Sequence, residues 1–101
     1  MGPAVFANNN LTNVNIPNNV NIIWTSAFDN NDITSVTIPN NVDVRLWAFR
    51  NNAITNVTIG AGVTLAANAI GFGFEAAYAS HGSGTFTRPN TASNVWTHTP
   101  P

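Results

Sequence analysis

One frame of fifteen residues, written nearly three times over, constrains this chain more than anything else in it. Phe6–Val20 reads FANNNLTNVNIPNNV, Phe28–Val42 reads FDNNDITSVTIPNNV, and Phe49–Val63 reads FRNNAITNVTIGAGV. All three fit F-x-N-N-x-[LI]-T-x-V-x-I-x-x-x-V. The phenylalanines stand 22 and then 21 residues apart, and so do Ile16, Ile38 and Ile59. Self-similarity at a spacing of roughly 20–30 residues marks coils stacked along one axis, a solenoid.

Within each copy the pairs Val14/Ile16, Val36/Ile38 and Val57/Ile59 alternate with short polar residues. That is the period of a strand with one buried face, and β-branched side chains favour it. Strands that recur in one direction once per coil must pair in parallel. Their outward residues are Asn13, Asn15, Ser35, Thr37, Asn56 and Thr58. Each strand runs into a turn: Pro17-Asn-Asn, Pro39-Asn-Asn or Gly60-Ala-Gly. Proline presets the backbone there, and Asn and Gly tolerate left-handed conformations. Phe6, Phe28 and Phe49 are expected to stack in the core, each burial being worth about 1.5–3 kcal/mol. The pairs Asn30-Asn31 and Asn51-Asn52 stand at equivalent places before the strands, where amides satisfy backbone groups at a sharp corner.

The pattern loosens after Val63. Thr64 to Ile70 is a degenerate repeat, with Ala69-Ile70 in the Ala-Phe place. The stretch 71–80, GFGFEAAYAS, predicts a short helix with Phe74, Ala77 and Tyr78 on one face. Ser83 to Arg88 and Asn94 to His98 predict two short strands, with Phe86 and Trp96 as a lid over the last coil. A differing terminal unit covers apolar surface and a strand edge that the last repeat would expose. The expected organisation is therefore repeats over 1–70 and a capping unit over 71–101. No such cap is legible at the other end, so the first strand is expected to present an open edge.

Composition narrows the function. Charged residues make up only 7% of the 101, against about a quarter in ordinary soluble domains. Asparagine (18 residues) and threonine (12) supply polar surface in their place. Arg45, Arg50 and Arg88 are the only Lys/Arg residues. A chain with so little positive charge does not neutralise a row of phosphates, which argues against nucleic acid and anionic lipid. Without cysteine there is no disulfide framework, thiol catalysis or thiolate zinc. No segment has the run of about 20 apolar residues that spans a membrane. The start MGPAVF has neither the basic nor the apolar region of a signal peptide. It opens inside a repeat, as a piece of a longer chain or a recombinant design would.

The words AFDNNDITSVTIPNNV and AFRNNAITNVTIGAGV resemble the BspA-like class of leucine-rich repeats of bacterial surface proteins. The tail FGFEAAYASHGSGTFTRPNTASNVWTH resembles the closing unit of such arrays in treponemal proteins. The resemblance implies a mostly β solenoid of the α/β type, a right-handed coil with a short parallel sheet. An irregular opposite wall and a cap of short helix plus two-stranded hairpin complete that picture. It also implies a cell-surface or secreted parent that acts by binding and not by catalysis. One segment departs from the family word T-S-I-G-D-x: Asn21-Ile-Ile-Trp24-Thr-Ser26 in one copy, Asp43-Val-Arg45-Leu-Trp47 in the next. The Gly-Asp turn is gone from both and a tryptophan has entered both.

No catalytic set emerges. Asp29, Asp32, Asp43 and Glu75 form no acid–base pair, Ser83 lacks a nucleophile elbow, and His81 and His98 read as surface residues without a third metal ligand. No cofactor is implied. Trp24, Arg45 and Trp47, about one repeat apart, are the candidate partner-binding set, since tryptophan and arginine dominate binding hot spots. The bland alternative is that Ile23 and Leu46 fill the core slots while the tryptophans pack as secondary core. The leading expectation is an adhesion or interaction module, binding a protein or glycan through the concave face, where the outward strand residues lie, or through the Trp24/Trp47 wall. The alternative is self-association into dimers or filaments through the open edge or the tryptophans. An ice-binding ladder at Thr34/Thr55 and Thr37/Thr58 is a minor third reading. The sequons Asn10-Leu-Thr12 and Asn56-Val-Thr58 matter only in a eukaryotic secretory host.

Overall fold

A computed structural model describes residues 6–71 and 73–101. The opening of the first repeat (1–5) and Phe72 lie outside the described residues. Alternation at the three equivalent runs builds β1 (Asn13–Asn15), β3 (Ser35–Ile38) and β5 (Asn56–Ile59). They pair in parallel and in register, Val14 beside Val36 beside Val57. The inward residues of these strands are buried, and the polar ones face out. Behind them Phe6, Phe28 and Phe49 stack face to face at 5.2 and 5.0 Å, nearly coplanar at 10° and 2°. Phe28 and Phe49 are fully enclosed, whereas Phe6, at the end of this ladder, is exposed.

The opposite wall is more ordered than expected. Two-residue strands β2 (Ile22–Ile23), β4 (Asp43–Val44) and β6 (Thr64–Leu65) form a second parallel ladder. The reason is the repeat itself. Stacking in register brings equivalent backbone N–H and C=O groups together, and pairing along the stack satisfies them.

The chain then reverses. Helix α1 (Phe74–His81) starts after Gly73, whose φ is 73°, and ends at Gly82, whose N–H bonds the Tyr78 carbonyl. Strand β7 (Gly84–Thr87) adds antiparallel to β5, and β8 (Thr97–Thr99) adds antiparallel to β7. This second strand is shorter than the expected 94–98 and begins later, because Trp96 turns inward instead. Phe74 is enclosed and receives Phe86 and Trp96 edge-on at 5.2 and 5.1 Å. The sheet order is β1-β3-β5-β7-β8, which leaves β1 at one edge.

Candidate partner-binding surface

Register along the second ladder fixes where the candidate residues fall. Ile23 stands beside Val44, and Val44 beside Leu65. Trp24 is therefore in column with Arg45 and Ala66, while Trp47 is in column with Ser26 and Asn68. The two tryptophans are two positions out of step and do not form the expected indole pair. Each has its own guanidinium instead: Arg45 lies over Trp24 at 5.1 Å and Arg50 over Trp47 at 4.3 Å.

Each arginine is in turn held by an aspartate. Arg45 Nε sits 3.0 Å from Asp43 Oδ2 as an ion pair. Arg50 donates from Nη2 to Asp29 Oδ2 at 2.7 Å and from Nε to Asp29 Oδ1 at 3.3 Å, a two-pronged grip. Asp29 occupies the same coil position as Arg50, one repeat back. The hydrogen bond from Arg50 holds the Asp29 carboxyl below the usual carboxylate range, and Arg50 is correspondingly raised. The result is two Asp–Arg–Trp units on one wall.

The secondary-core alternative does not hold. Trp24, Leu46 and Trp47 are 37%, 39% and 38% exposed, while the slots belong to Ile23 and Val44 at 0%. Leu46 is thus an exposed neighbour of the tryptophans and no core residue. The corner itself is a tight turn: Ala27 N–H bonds Trp24 O, and Ala48 N–H bonds Arg45 O. Ala27, Ala48 and Ala69 are all fully enclosed. Just before each alanine the backbone is left-handed, with φ of 59° at Ser26, 57° at Trp47 and 55° at Asn68. For a bulky residue that conformation costs roughly 1–2 kcal/mol.

The second candidate surface is the outer face of the five-stranded sheet. Asn13, Ser35 and Asn56 form one row, and Asn15, Thr37 and Thr58 the next. Strands β7 and β8 extend both: Thr87 and Thr97 join the first, Thr85 and Thr99 the second. Thr58 and Thr85 hydroxyls stand 3.4 Å apart. In the sequence Thr85, Thr87 and Thr97 are only parts of short expected strands and Thr99 lies beyond them, since nothing there says that β7 returns to pair with β5. The Thr34/Thr55 ladder lies ahead of the strands, where Thr55 N–H bonds Thr34 O.

Elsewhere the chemistry is structural. Asn31 Nδ2 donates to Phe6 O and Phe28 O while its Oδ1 accepts from Leu11 N. Asn52 repeats this one coil on, between Phe28 O, Phe49 O and Ile33 N. His81 is exposed at the end of α1, but His98 is half-buried, its Nε2 2.8 Å from Ser83 O and its ring 5.0 Å from His81. Among the described residues no group of three or more His, Cys, Asp or Glu is placed to hold a metal ion. None of their helices is long and apolar enough to cross a membrane.

The family model described as BspA type Leucine rich repeat region (6 copies) matches residues 1–70. No curated protein and no solved structure matches the chain.

Proposed function

The chain belongs to the BspA-type leucine-rich-repeat family, and from that premise we propose that it is a non-catalytic module binding a protein partner through the Trp24/Leu46/Trp47 wall. Repeats of this family serve protein interaction, and the proteins that carry them are typically at the cell surface or secreted. In this reading residues 1–70 form a right-handed solenoid and 71–101 close it. The observation that carries the proposal is Trp47: a tryptophan exposed by more than a third, in a left-handed position where the neighbouring coils use serine and asparagine. Bulk at that place costs stability, and its stacking under Arg50 preorganises the indole for contact. The outer sheet face, with Asn13, Asn15, Ser35, Thr37, Asn56 and Thr58, is the second contact surface and suits a neutral polar partner or glycan.

An array of cell-surface and matrix proteins, probed with this chain and with its Trp24→Ala/Trp47→Ala variant, tests the assignment. Partners should be lost with the double variant and kept by Asn15→Ala/Thr37→Ala. The opposite pattern moves the site to the sheet. Both arginines on the wall are already paired with aspartate, so affinity should fall less than about threefold between low and moderate salt. A fall of orders of magnitude overturns the account.

Self-association is the second reading, and one observation favours it. Among the described residues no strand pairs with the outer edge of β1, which adjoins an apolar cleft of about 330 Å³ lined by Phe6, Leu11, Val14, Ile16, Pro17 and Phe28. An unpaired edge over apolar surface invites another strand. Sedimentation at rising concentration decides it; a monomer at high micromolar concentration sinks the idea.

A further inference from the structure

We infer that a cavity beside Arg88, which borders the tryptophan wall at Arg50, is a binding site for a small organic carboxylate. Arg88 follows β7 and is 7% exposed. Its Nε and Nη2 both donate to Ile54 O, at 2.9 and 2.7 Å. Nη1 donates to Ser93 O at 3.0 Å and, more weakly, to Thr91 O at 3.4 Å. The flat face lies 4.4 Å from the Trp96 ring. Every one of these partners is neutral.

The charge balance is what singles this residue out. The other two arginines are each matched by an aspartate, Arg45 by Asp43 and Arg50 by Asp29. Among the described residues no carboxylate stands within ion-pair distance of Arg88. A buried cation held only by carbonyls is under-compensated, and burial lowers its pKa from the guanidinium norm. An anion delivered from outside would supply the missing charge.

The structure leaves room for it. A cavity of about 260 Å³ opens at this place, between the Phe49–Asn52 corner and the segment that carries Arg88 and Thr91. Its lining holds Arg88 and also Arg50, whose charge Asp29 already meets, and no acidic residue. The amides of Asn51 and Asn68 offer further hydrogen bonds, and Phe49 and Ile70 give an apolar floor. That mixture fits a carboxylate on a small carbon body better than a bare inorganic ion. Gly71 keeps the approach open: a Cβ there would come within 3.1 Å of Arg88 Nη2.

The test uses the whole chain and three probes, acetate, N-acetylglycine and glucuronate, with glucose and matched sodium chloride as controls. Nitrogen-15 NMR follows the Asn51 and Asn68 side-chain amides and the Arg88 Nε–H. At least one carboxylate should give saturable shifts that neither control gives. Gly71→Ala brings a methyl to 3.1 Å from Arg88 Nη2, so that this nitrogen must give by a few tenths of an ångström while Nε and Nη1 keep their carbonyls. The narrowed approach should weaken binding by about tenfold or more with melting within about 3 °C of the parent. Arg88→Met, if it folds, should abolish binding. No saturable response to any of the three, equal shifts with glucose, or undiminished binding by Gly71→Ala overturns the site.

Discussion

The Arg50 guanidinium lies 4.3 Å from the centre of the Trp47 indole, and the same guanidinium is gripped by Asp29 from the preceding coil. An exposed ring is thereby pinned by a charge that belongs to the repeat stack. The neighbouring Trp24 is covered more loosely, at 5.1 Å, by Arg45, which pairs with Asp43 of its own coil. Rigidity of this kind lowers the ordering cost of a contact, which is the physical content of calling the wall preorganised.

Trp47→Asn should leave the fold as stable as the parent or slightly more so. Asn68 already occupies the equivalent left-handed position in the next coil. The change relieves a backbone cost of roughly 1–2 kcal/mol and gives up an exposed cation–π contact of about 0.5–1 kcal/mol. Trp47→Val loses the contact while keeping the strain, and should be less stable than the parent by about 1 kcal/mol. Thermal melts of the three proteins rank them. An asparagine variant that melts well below the parent would mean that the ring contributes more than its backbone costs.

The two asparagines of each corner should respond very differently to replacement. Asn51 has φ of 58°, and its exposed side chain reaches only Asp29, so Asn51→Gly should stay within about 0.5 kcal/mol of the parent. Asn52 holds Phe28 O, Phe49 O and Ile33 N at 2.9–3.0 Å. Asn52→Ala strands these backbone groups together and should cost about 2–3 kcal/mol in urea unfolding. Equal costs for both would refute the division of labour.

That corner also shows where the sequence was readable. The Asn-Asn word marks a bend because only a few residue types tolerate it, but its two letters look alike while their tasks differ. The strands and the phenylalanine column were legible because a one-sided core forces alternation at fixed spacing. The ladder of β2, β4 and β6 was not, since two residues are too few to show a period. The stagger of Trp24 and Trp47 was hidden by the extra residue in the segment after Val20. Counting back from Ala-Phe would have found it, for Trp24 precedes Ala27 by three and Trp47 precedes Ala48 by one. Arg50 was missed as a wall residue, although Asp29 and Arg50 are opposite charges at one coil position. Arg88 gave no signal, because its burial depends on how the last segments fold over the coil.

Acid should weaken one carboxylate's contribution and relieve another. Asp29 has its pKa lowered in the fold, chiefly by the hydrogen bond from Arg50. Its stabilising effect is therefore present above the unfolded value of about 3.9 and is lost as pH falls through the folded value. Asp29→Asn should lower the melting temperature at pH 7, and the difference should shrink as pH falls below the unfolded value. Glu75 has the opposite sign. Its Oε1 is buried without a hydrogen-bond partner, and burial pushes the carboxyl up against the pull of backbone N–H groups at Glu75, Ala69 and Asn68. Ionising it in the fold costs stability as pH rises, so Glu75→Gln should stabilise at pH 7 with the gain vanishing below about pH 4. Melts across pH 3–7 separate the two, and parallel curves for both variants would refute the assignment.

The last coil should loosen if one hydroxyl is removed from α1. Tyr78 was legible as part of the helix's apolar face, and its ring does lie 6.4 Å from Phe74. Its hydroxyl does something the pattern does not show. It donates to Gly60 O at 2.7 Å and accepts from Val63 N–H at 3.2 Å, closing the turn that follows β5. That turn has Gly60-Ala-Gly where the preceding one has Pro39-Asn-Asn, so it lacks a proline to preset it. The helix supplies the constraint instead. Tyr78→Phe keeps the ring and leaves a carbonyl and an amide unpaired in a half-buried place, at a cost of about 1–3 kcal/mol. The loss should appear locally, as Val63 amide exchange faster by about tenfold or more, while amides in β1 and β3 change only with global stability. Unchanged exchange at Val63 would show that the turn holds itself and that α1 merely rests on it.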